Sequence, residues 1–299
     1  MKRNAGYAIQ RRNRRRRRIR AVKRAVIMLG ILAGLVLVLY MAADCLELSL
    51  AGHGKSQETG WIEVKAPVKR ETEEIYQELS KLAKTNENAA KIYENREEYP
   101  DKLLAAYLNN TEMEEFLLEY TTADFEWTGA LSDREKQEKY PLLLQWDKRW
   151  GYASYGESII ALSGCGPTCL SMVVVTLTKN EEWTPARVAQ FSEENGYYVE
   201  GAGTAWSLMT EGAEQLGVAA EELSLSESLM KAVLDKGGAI ICTLRPGDFT
   251  TEGHYIVIRG YDDSGFLVND PNCIARSNQT WSYERLCGQI KNLWAYTSV

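Results

Sequence analysis

Two residues in the second half of the chain carry side chains that are suited to nucleophilic chemistry. Cys165 lies between two glycines at the start of an apolar segment, 164–178, whose composition predicts a buried helix. A helix N-terminus presents unpaired N–H groups and positive potential, which favour a thiolate and can stabilise an oxyanion. His254 opens a predicted strand, 254–261, and the only other histidine of the chain is His53. These residues predict a thiolate nucleophile with an imidazole base.

Cys165 also has a structural interpretation, as a small buried apolar residue. That interpretation does not require a glycine on each side, so we favour the nucleophile. Cys169, one turn further along the same helix, is instead expected to lie in the core.

Asp270 is predicted to orient the imidazole. The sequence at 262–265, DDSG, is typical of a turn, and a three-residue turn there places Asp270 diagonal to His254 on one face of a hairpin. A two-residue turn would place the two residues on opposite faces. Asn269 is expected to face away. Asp270 also precedes Pro271, so a turn-capping role is the alternative.

The elements that must position these residues follow from the hydrophobic periodicity. Helical patterns come first and alternating strand patterns follow them, which predicts an α+β fold. The predicted helices are 164–178, 184–196, 204–216 and 226–236, and the predicted strands are 239–244, 254–261, 266–270 and 292–297.

Residues 140–299 resemble the C39-like (double-glycine leader peptidase-like) family of papain-fold cysteine peptidases. The stretches that carry the resemblance are YPLLLQWDKRWG, SGCGPTCLSMV, GTAWSLM, PGDFTTEGHYIVI and VNDPN. The resemblance implies a papain-like domain in which Cys165, His254 and Asp270 form the catalytic triad, with no metal ion and no cofactor.

The resemblance also suggests a second oxyanion donor and a substrate-binding surface. In papain-like enzymes a glutamine upstream of the nucleophile supplies that donor, and Gln145 is the candidate here. It lies 20 residues before Cys165, so the intervening segment must fold back; otherwise Gln145 is a polar residue at a strand end. Gly203 and Trp206 are expected to line the substrate cleft, and their alternative is a tight turn with a packed aromatic ring.

The N-terminal part of the chain has a different character. Residues 1–24 carry twelve basic and no acidic side chains, and residues 25–43 are 19 residues without a charge. As a helix those 19 residues reach about 28 Å, close to the roughly 30 Å hydrocarbon core of a bilayer. We therefore expect a cytoplasmic tail, a single transmembrane helix at 25–43 in contact with lipid, and an extracytoplasmic remainder. A signal peptide cleaved after 41–43 is the alternative.

Two further segments precede the predicted peptidase domain. Residues 44–69 are predicted to be a linker, and residues 70–139 form a helical region, which is expected to be a spacer or a substrate-docking region. Within that region Pro100 is predicted to start a helix. Thr111 and Glu114 are predicted to form a capping box.

Together these features predict a membrane-anchored, extracytoplasmic cysteine peptidase that hydrolyses peptide bonds in peptide or protein substrates. A cell-wall amidase or acyltransferase with the same triad is one alternative, and a non-catalytic binding module on this scaffold is another. Residues 25–299 carry 23 basic and 41 acidic side chains, which disfavours nucleic acid as a partner. The sequence does not decide whether Cys273 and Cys287 form a disulfide.

Overall fold

Antiparallel strands and helices alternate along the second half of the chain, in a computed structural model that describes residues 64–127, 129–201 and 203–299. The predicted tail 1–24, the predicted transmembrane helix 25–43 and the linker up to residue 63 lie outside the described residues. No helix within the described ranges is long and apolar enough to cross a bilayer.

The helices and strands are numbered in chain order. The helices are α1 (Thr72–Ala83), α2 (Glu87–Glu94), α3 (Asp101–Asn109), α4 (Glu114–Tyr120), α5 (Asp133–Gln137), α6 (Ile160–Ser163), α7 (Cys165–Thr178), α8 (Pro185–Glu194), α9 (Glu211–Gln215), α10 (Glu227–Asp235), α11 (Ile274–Ser277) and α12 (Tyr283–Cys287). The strands are β1 (Ser154–Tyr155), β2 (Ser158–Ile159), β3 (Tyr198–Val199), β4 (Gly203–Thr204), β5 (Val218–Glu222), β6 (Ala239–Leu244), β7 (His254–Asp262), β8 (Gly265–Asn269), β9 (Thr280–Trp281) and β10 (Ile290–Ser298).

A six-stranded sheet with the order β5-β10-β6-β7-β8-β9 forms the centre of the fold, and all of its pairings are antiparallel. Every residue of β6 is buried because both faces of the sheet are covered. Ile241 and Val257 belong to the apolar cluster that contains α7 and α8, whereas Ile240 and Ile256 belong to the cluster beside α10 and α12. This mixed arrangement fits the predicted α+β, papain-like domain.

Helix α7 is the central helix of the domain that contains the sheet. Its residues 166–176 are all buried, and it packs against α8 and against β7. This environment explains why its sequence, GCGPTCLSMVVVTLT, is apolar on every side rather than along one stripe. The same packing fixes the position of the first residue, Cys165, relative to the start of β7.

The predicted helix 204–216 is wrong. The segment instead contains the end of β4, a 3-10 turn at Trp206–Met209 and the short helix α9. Thr210 adopts φ −117° and ψ −85°, which interrupts the helical path. Strand β5 was not predicted, because the sequence VAAEE favours a helix; pairing with β10 overrides that preference.

Helices α1 to α4 pack on the domain that follows them. Their buried side chains, which include Leu103 and Phe116, share one apolar cluster with Tyr152 and Ile159. The Tyr152 hydroxyl donates a hydrogen bond of 2.9 Å to the Phe116 carbonyl. The helical region is therefore joined to the domain by a common core.

The predicted capping box of Thr111 and Glu114 is wrong. The Asn110 side chain caps this turn instead, by accepting a hydrogen bond from the Glu112 N–H at 3.2 Å. The Glu114 carboxylate accepts from the hydroxyl of Tyr107 at 2.9 Å and from the side-chain amides of Asn86 and Asn88. A tertiary contact thus takes the place of the local one.

Candidate active site

Cys165 is the first residue of α7, and close packing requires the glycines on both of its sides. A Cβ on Gly164 would lie 2.6 Å from the Ile160 Cγ2 atom, and one on Gly166 would lie 2.8 Å from the Thr204 Oγ1 atom. The thiol of Cys165 is only partly buried and lines a cavity. The cysteine therefore lies at a closely packed helix N-terminus, where Ile160 and Thr204 leave no room for a side chain on either neighbouring glycine.

The other described cysteines have different environments. Cys169 is fully buried, and burial raises the pKa of its thiol well above the usual range. Cys242 is equally buried in β6. Cys273 and Cys287, which were candidates for a disulfide, are both free. Among the cysteines that the structure describes, Cys165 is the one whose thiol lines a cavity together with an imidazole.

His254 begins β7 and lines the same cavity as Cys165. Its side chain is 7% exposed, and its Nε2 atom lies 2.7 Å from the Oδ1 atom of Asp270. Burial alone lowers the pKa of His254, but the negative charge and hydrogen bond of Asp270, together with the nearby Cys165 sulfur, raise that pKa to about 9. Because Nε2 is held by Asp270, Nδ1 is the ring nitrogen left for the thiol.

Asp270 lies just after β8 and is fully buried. Besides His254, its carboxylate accepts hydrogen bonds from the backbone N–H of Asn272 at 2.8 Å and from Nη1 of Arg276 at 3.1 Å. Burial opposes ionisation, but the charge of His254, its hydrogen bond and the charge of Arg276 lower the pKa of Asp270 below its usual value. The group is therefore an anion across the neutral range.

A bulge in the hairpin gives Asp270 its place. The turn between β7 and β8 contains two residues, 263–264, so the expected three-residue turn is wrong. The register then shifts between Ile258 and Gly260, because Arg259 is an extra residue on β7. This shift restores the face that a two-residue turn alone would have reversed. It brings Asp270 to the side of His254.

Asn269 points to the other face of the sheet. Its Oδ1 atom accepts a hydrogen bond from Nε of Arg259, the bulged residue, at 2.8 Å. Its Nδ2 atom donates to the carbonyl of Pro141 at 3.1 Å. Asn269 therefore stabilises the bulge and the segment at Tyr140–Pro141, and it forms no hydrogen bond with His254.

Arg276 was not identified from the sequence. Its side chain is 1% exposed and forms a buried ion pair with Asp270, in a row with His254. A cation six residues after a carboxylate has no spacing signature that predicts a role in a catalytic site. Only the fold of α11 brings the guanidinium to Asp270.

Gln145 and Cys165 line the same cavity despite their long separation in sequence. The β1–β2 hairpin folds the intervening chain back, and the Ala161 N–H donates a hydrogen bond of 3.0 Å to the Gly151 carbonyl. The Nε2 atom of Gln145 donates to the Ala161 carbonyl at 2.7 Å, which leaves its second hydrogen available. Gln145 also lines a cavity together with Cys165 and His254.

Two cavities meet at Cys165 and His254, with volumes of about 950 Å³ and about 530 Å³. Gly203 and Trp206 line the larger cavity. The Trp206 ring is 43% exposed and packs edge-on against Trp294, with the ring centroids 5.7 Å apart. Gly203 has a φ of +79°, so a left-handed backbone shapes this side of the cavity.

A comparison with protein-family models matches residues 137–299 to the Peptidase_C39 like family. The match covers more than half of the chain and confirms the family resemblance that the sequence motifs predicted. It includes Gln145, Cys165, His254 and Asp270. A comparison with curated proteins found no significant relative.

Proposed function

Because the chain belongs to the Peptidase_C39 like family, we propose that it is a thiol-dependent peptidase that cleaves peptide bonds with Cys165, His254 and Asp270. The observation that carries this proposal is the buried contact of 2.7 Å between His254 and Asp270, beside the cavity that Cys165 lines. An imidazole that is buried, held by a carboxylate and raised in pKa to about 9 is suited to form an ion pair with a thiolate.

In the first step, the Cys165 sulfur attacks the carbonyl carbon of the scissile amide while His254 is an imidazolium. The carbonyl oxygen takes the negative charge, and the Cys165 N–H and the free Nε2 hydrogen of Gln145 stabilise it. The carbon–nitrogen bond then breaks, and His254 donates its Nδ1 proton to the leaving amine. The product of this half-reaction is a thioester on Cys165.

In the second step, a water molecule attacks the thioester carbonyl, and the neutral His254 accepts a proton from that water. The carbon–sulfur bond breaks, the acid product leaves and the thiolate–imidazolium pair is restored. Asp270 holds the ring with Nε2 protonated throughout the cycle and stabilises the positive charge that returns to it. Arg276 and the Asn272 N–H in turn keep the carboxylate ionised and oriented.

The direct test is cleavage-site profiling by mass spectrometry on a mixture of unstructured polypeptides, with the full chain and its Cys165→Ala variant. We expect cleavages that disappear in Cys165→Ala and persist in Cys287→Ala, a matched control that removes a partly exposed thiol outside the site. Identical cleavages in the Cys165→Ala variant and the unmodified chain would show that the assignment is wrong. Labelling of Cys165 by a thiol-directed covalent inhibitor provides a second readout.

The cellular location is part of the same proposal. The 19 uncharged residues at 25–43, preceded by twelve basic side chains, support a single-pass anchor with the peptidase domain outside the cytoplasm. Alkaline phosphatase is active only outside the cytoplasm, so its fusion after residue 60 should give an active phosphatase. An inactive fusion that is nevertheless stably produced would place the domain in the cytoplasm.

A further inference from the structure

We infer that the N-terminal helical region forms one wall of the substrate groove, and that Lys102 on this wall selects peptides with an acidic side chain near the scissile bond. This inference rests on the proposed peptidase function and adds a substrate class to the same site. By substrate groove we mean the two cavities that meet at Cys165 and His254.

The two cavities form one continuous path past the reacting atoms. Six residues line both of them, namely Lys102, Leu162, Cys165, Glu252, Gly253 and His254. A peptide whose scissile carbonyl lies at the Cys165 sulfur therefore extends into one cavity on each side of the cleaved bond. Side chains that line both cavities are the ones nearest to that bond.

The helical region contributes to both cavities. In the smaller one, residues 67–72 and several residues of α3 lie across from the loop 249–254. In the larger one, Pro100, Lys102 and Tyr120 form part of the lining. All of these contributors precede residue 137, where the family match begins. This wall of the groove is therefore formed by residues that lie outside the family match.

Several contacts hold this wall in place. The side chain of Asn109 accepts a hydrogen bond from the Val68 N–H and donates one to the Val68 carbonyl, each at 3.0 Å. The Glu112 carboxylate accepts from the N–H groups of Ile274 and Ala275, at 2.7 and 2.9 Å. Those two residues begin α11, which also carries the arginine bound to Asp270. The wall is therefore anchored to the same segment that supports the triad.

Lys102 has no ion-pair partner among the described residues where the two cavities meet. Asp101 accepts a hydrogen bond from the Thr72 hydroxyl, and Glu252 forms an ion pair with Lys69 at 3.6 Å. Lys102 is exposed and forms no ion pair with any residue in the described ranges. A carboxylate on the substrate can therefore pair with Lys102 without displacing an existing ion pair.

Two more cations line the larger cavity. Arg245 donates to the Ile290 carbonyl through Nη1, and the Nζ atom of Lys291 lies 5.3 Å from the centroid of the Trp206 ring. Glu157 is the acidic side chain that lines this cavity but not the smaller one. Across both cavities five basic side chains line the groove against four acidic ones, a net charge of +1 in a chain whose net charge is −6. The basic ones are Lys69, Arg70, Lys102, Arg245 and Lys291, and the acidic ones are Glu71, Asp101, Glu157 and Glu252. Complementary charge of this kind favours acidic peptides.

The test compares substrate preference in the full chain and three variants, with a synthetic decapeptide library in which each position samples all residues except cysteine. The variants are Lys102→Gln, Lys102→Glu and the control Lys84→Gln, which removes an exposed lysine that lines neither cavity. The readout is the frequency of Asp and Glu within three residues of each cleaved bond, relative to the library.

We expect an enrichment of acidic residues of about threefold at low ionic strength, the size typical of one exposed charge pair. The enrichment should vanish in Lys102→Gln, reverse toward Lys and Arg in Lys102→Glu, and persist in Lys84→Gln. It should also shrink at about 0.5 M salt because of screening. An equal acidic preference in the unmodified chain and in Lys102→Glu, or none in the unmodified chain, would overturn the inference. A lack of any cleavage above the Cys165→Ala background would instead refute the proposed function.

Discussion

Replacement of Asp270 by Asn tests the origin of the raised pKa of His254. That pKa is about 9, compared with an ordinary value of 6.5, and the charge and hydrogen bond of Asp270 oppose the effect of burial. With the charge removed, burial opposes the remaining effect of the Cys165 sulfur, and we expect the pKa of His254 to return to about 6.5 or lower. At pH 7.5 the imidazolium fraction then falls from about 97% to about 9% or less. Protonation alone therefore predicts a decrease of at least about tenfold in kcat/KM.

The assay is kcat/KM as a function of pH, with a fluorogenic peptide chosen from the cleavage-site profile. In the unmodified chain we expect activity to fall as the pH rises through about 9, because His254 loses its proton there. In Asp270→Asn this alkaline limb should move down by at least about two pH units. Asp263→Asn, in the exposed hairpin turn, is the matched control and should leave the limb in place.

Stability gives an independent readout of the same pair. Because the folded-state pKa of His254 lies above the unfolded value, its contribution is fully present below about pH 6.5 and is lost as the pH rises through about 9. A difference of this size corresponds to about 3 kcal/mol in the free energy of unfolding. Asp270→Asn should lack this pH dependence. If the alkaline limb of kcat/KM in Asp270→Asn stays near pH 9, the reasoning about the ion pair is refuted.

Two other substitutions test neighbours of the triad. Arg276→Met should lower the free energy of unfolding by about 3 kcal/mol, measured by denaturant titration, because the fully buried Asp270 loses one of its two cationic partners. Gln145→Ala should lower kcat by about 100-fold with little change in KM, measured by steady-state kinetics, because one oxyanion donor is removed.

Each of these two predictions has a contrasting outcome. Arg285→Met breaks an exposed ion pair with Asp248 and should cost less than about 1 kcal/mol. Equal effects of the two arginine substitutions would contradict the importance of the buried pair. For Gln145→Ala, a rise in KM at constant kcat would indicate substrate binding rather than oxyanion stabilisation.

The nucleophile and the base could be predicted from the sequence because their local signals are strong. Gly-Cys-Gly before an apolar run predicts a tightly packed helix start, and Cys165 lies at that start. The alternating pattern of residues 254–261 predicts a strand, and His254 is the first residue of that strand. Both signals depend on residues that are adjacent in the chain, so they needed no knowledge of tertiary structure.

The position of Asp270 was predicted by way of an incorrect turn. The sequence suggested a three-residue turn, whereas the hairpin combines a two-residue turn with a bulge at Arg259. Beyond the bulge both arrangements give the same register, in which Val257 pairs with Asn269. The contact between Asp270 and His254 was therefore expected. Asn269 stabilises the bulge from the neighbouring strand. A contact across strands of this kind leaves no periodic signal in either strand.

Long-range contacts account for the features that were not foreseen. Arg276 reaches Asp270 only because α11 folds beside β8. The side chain of Glu114 has partners in α2 and α3, so the local capping pattern at Thr111 was misleading. The contribution of the helical region to the groove was likewise not visible, since it depends on packing between segments far apart in sequence.

The apolar cluster shared by α3, α4 and the β1–β2 segment determines where the molecule can be divided. A fragment trimmed to the family-matched residues, 137–299, would leave Tyr152, Ile159 and Ala161 without the helices that cover them. Those side chains lie on the segment that returns the chain from Gln145 to Cys165. The family match therefore begins after residues that complete the packing of the domain, because the helices of this cluster, from α1 onward, all precede residue 137.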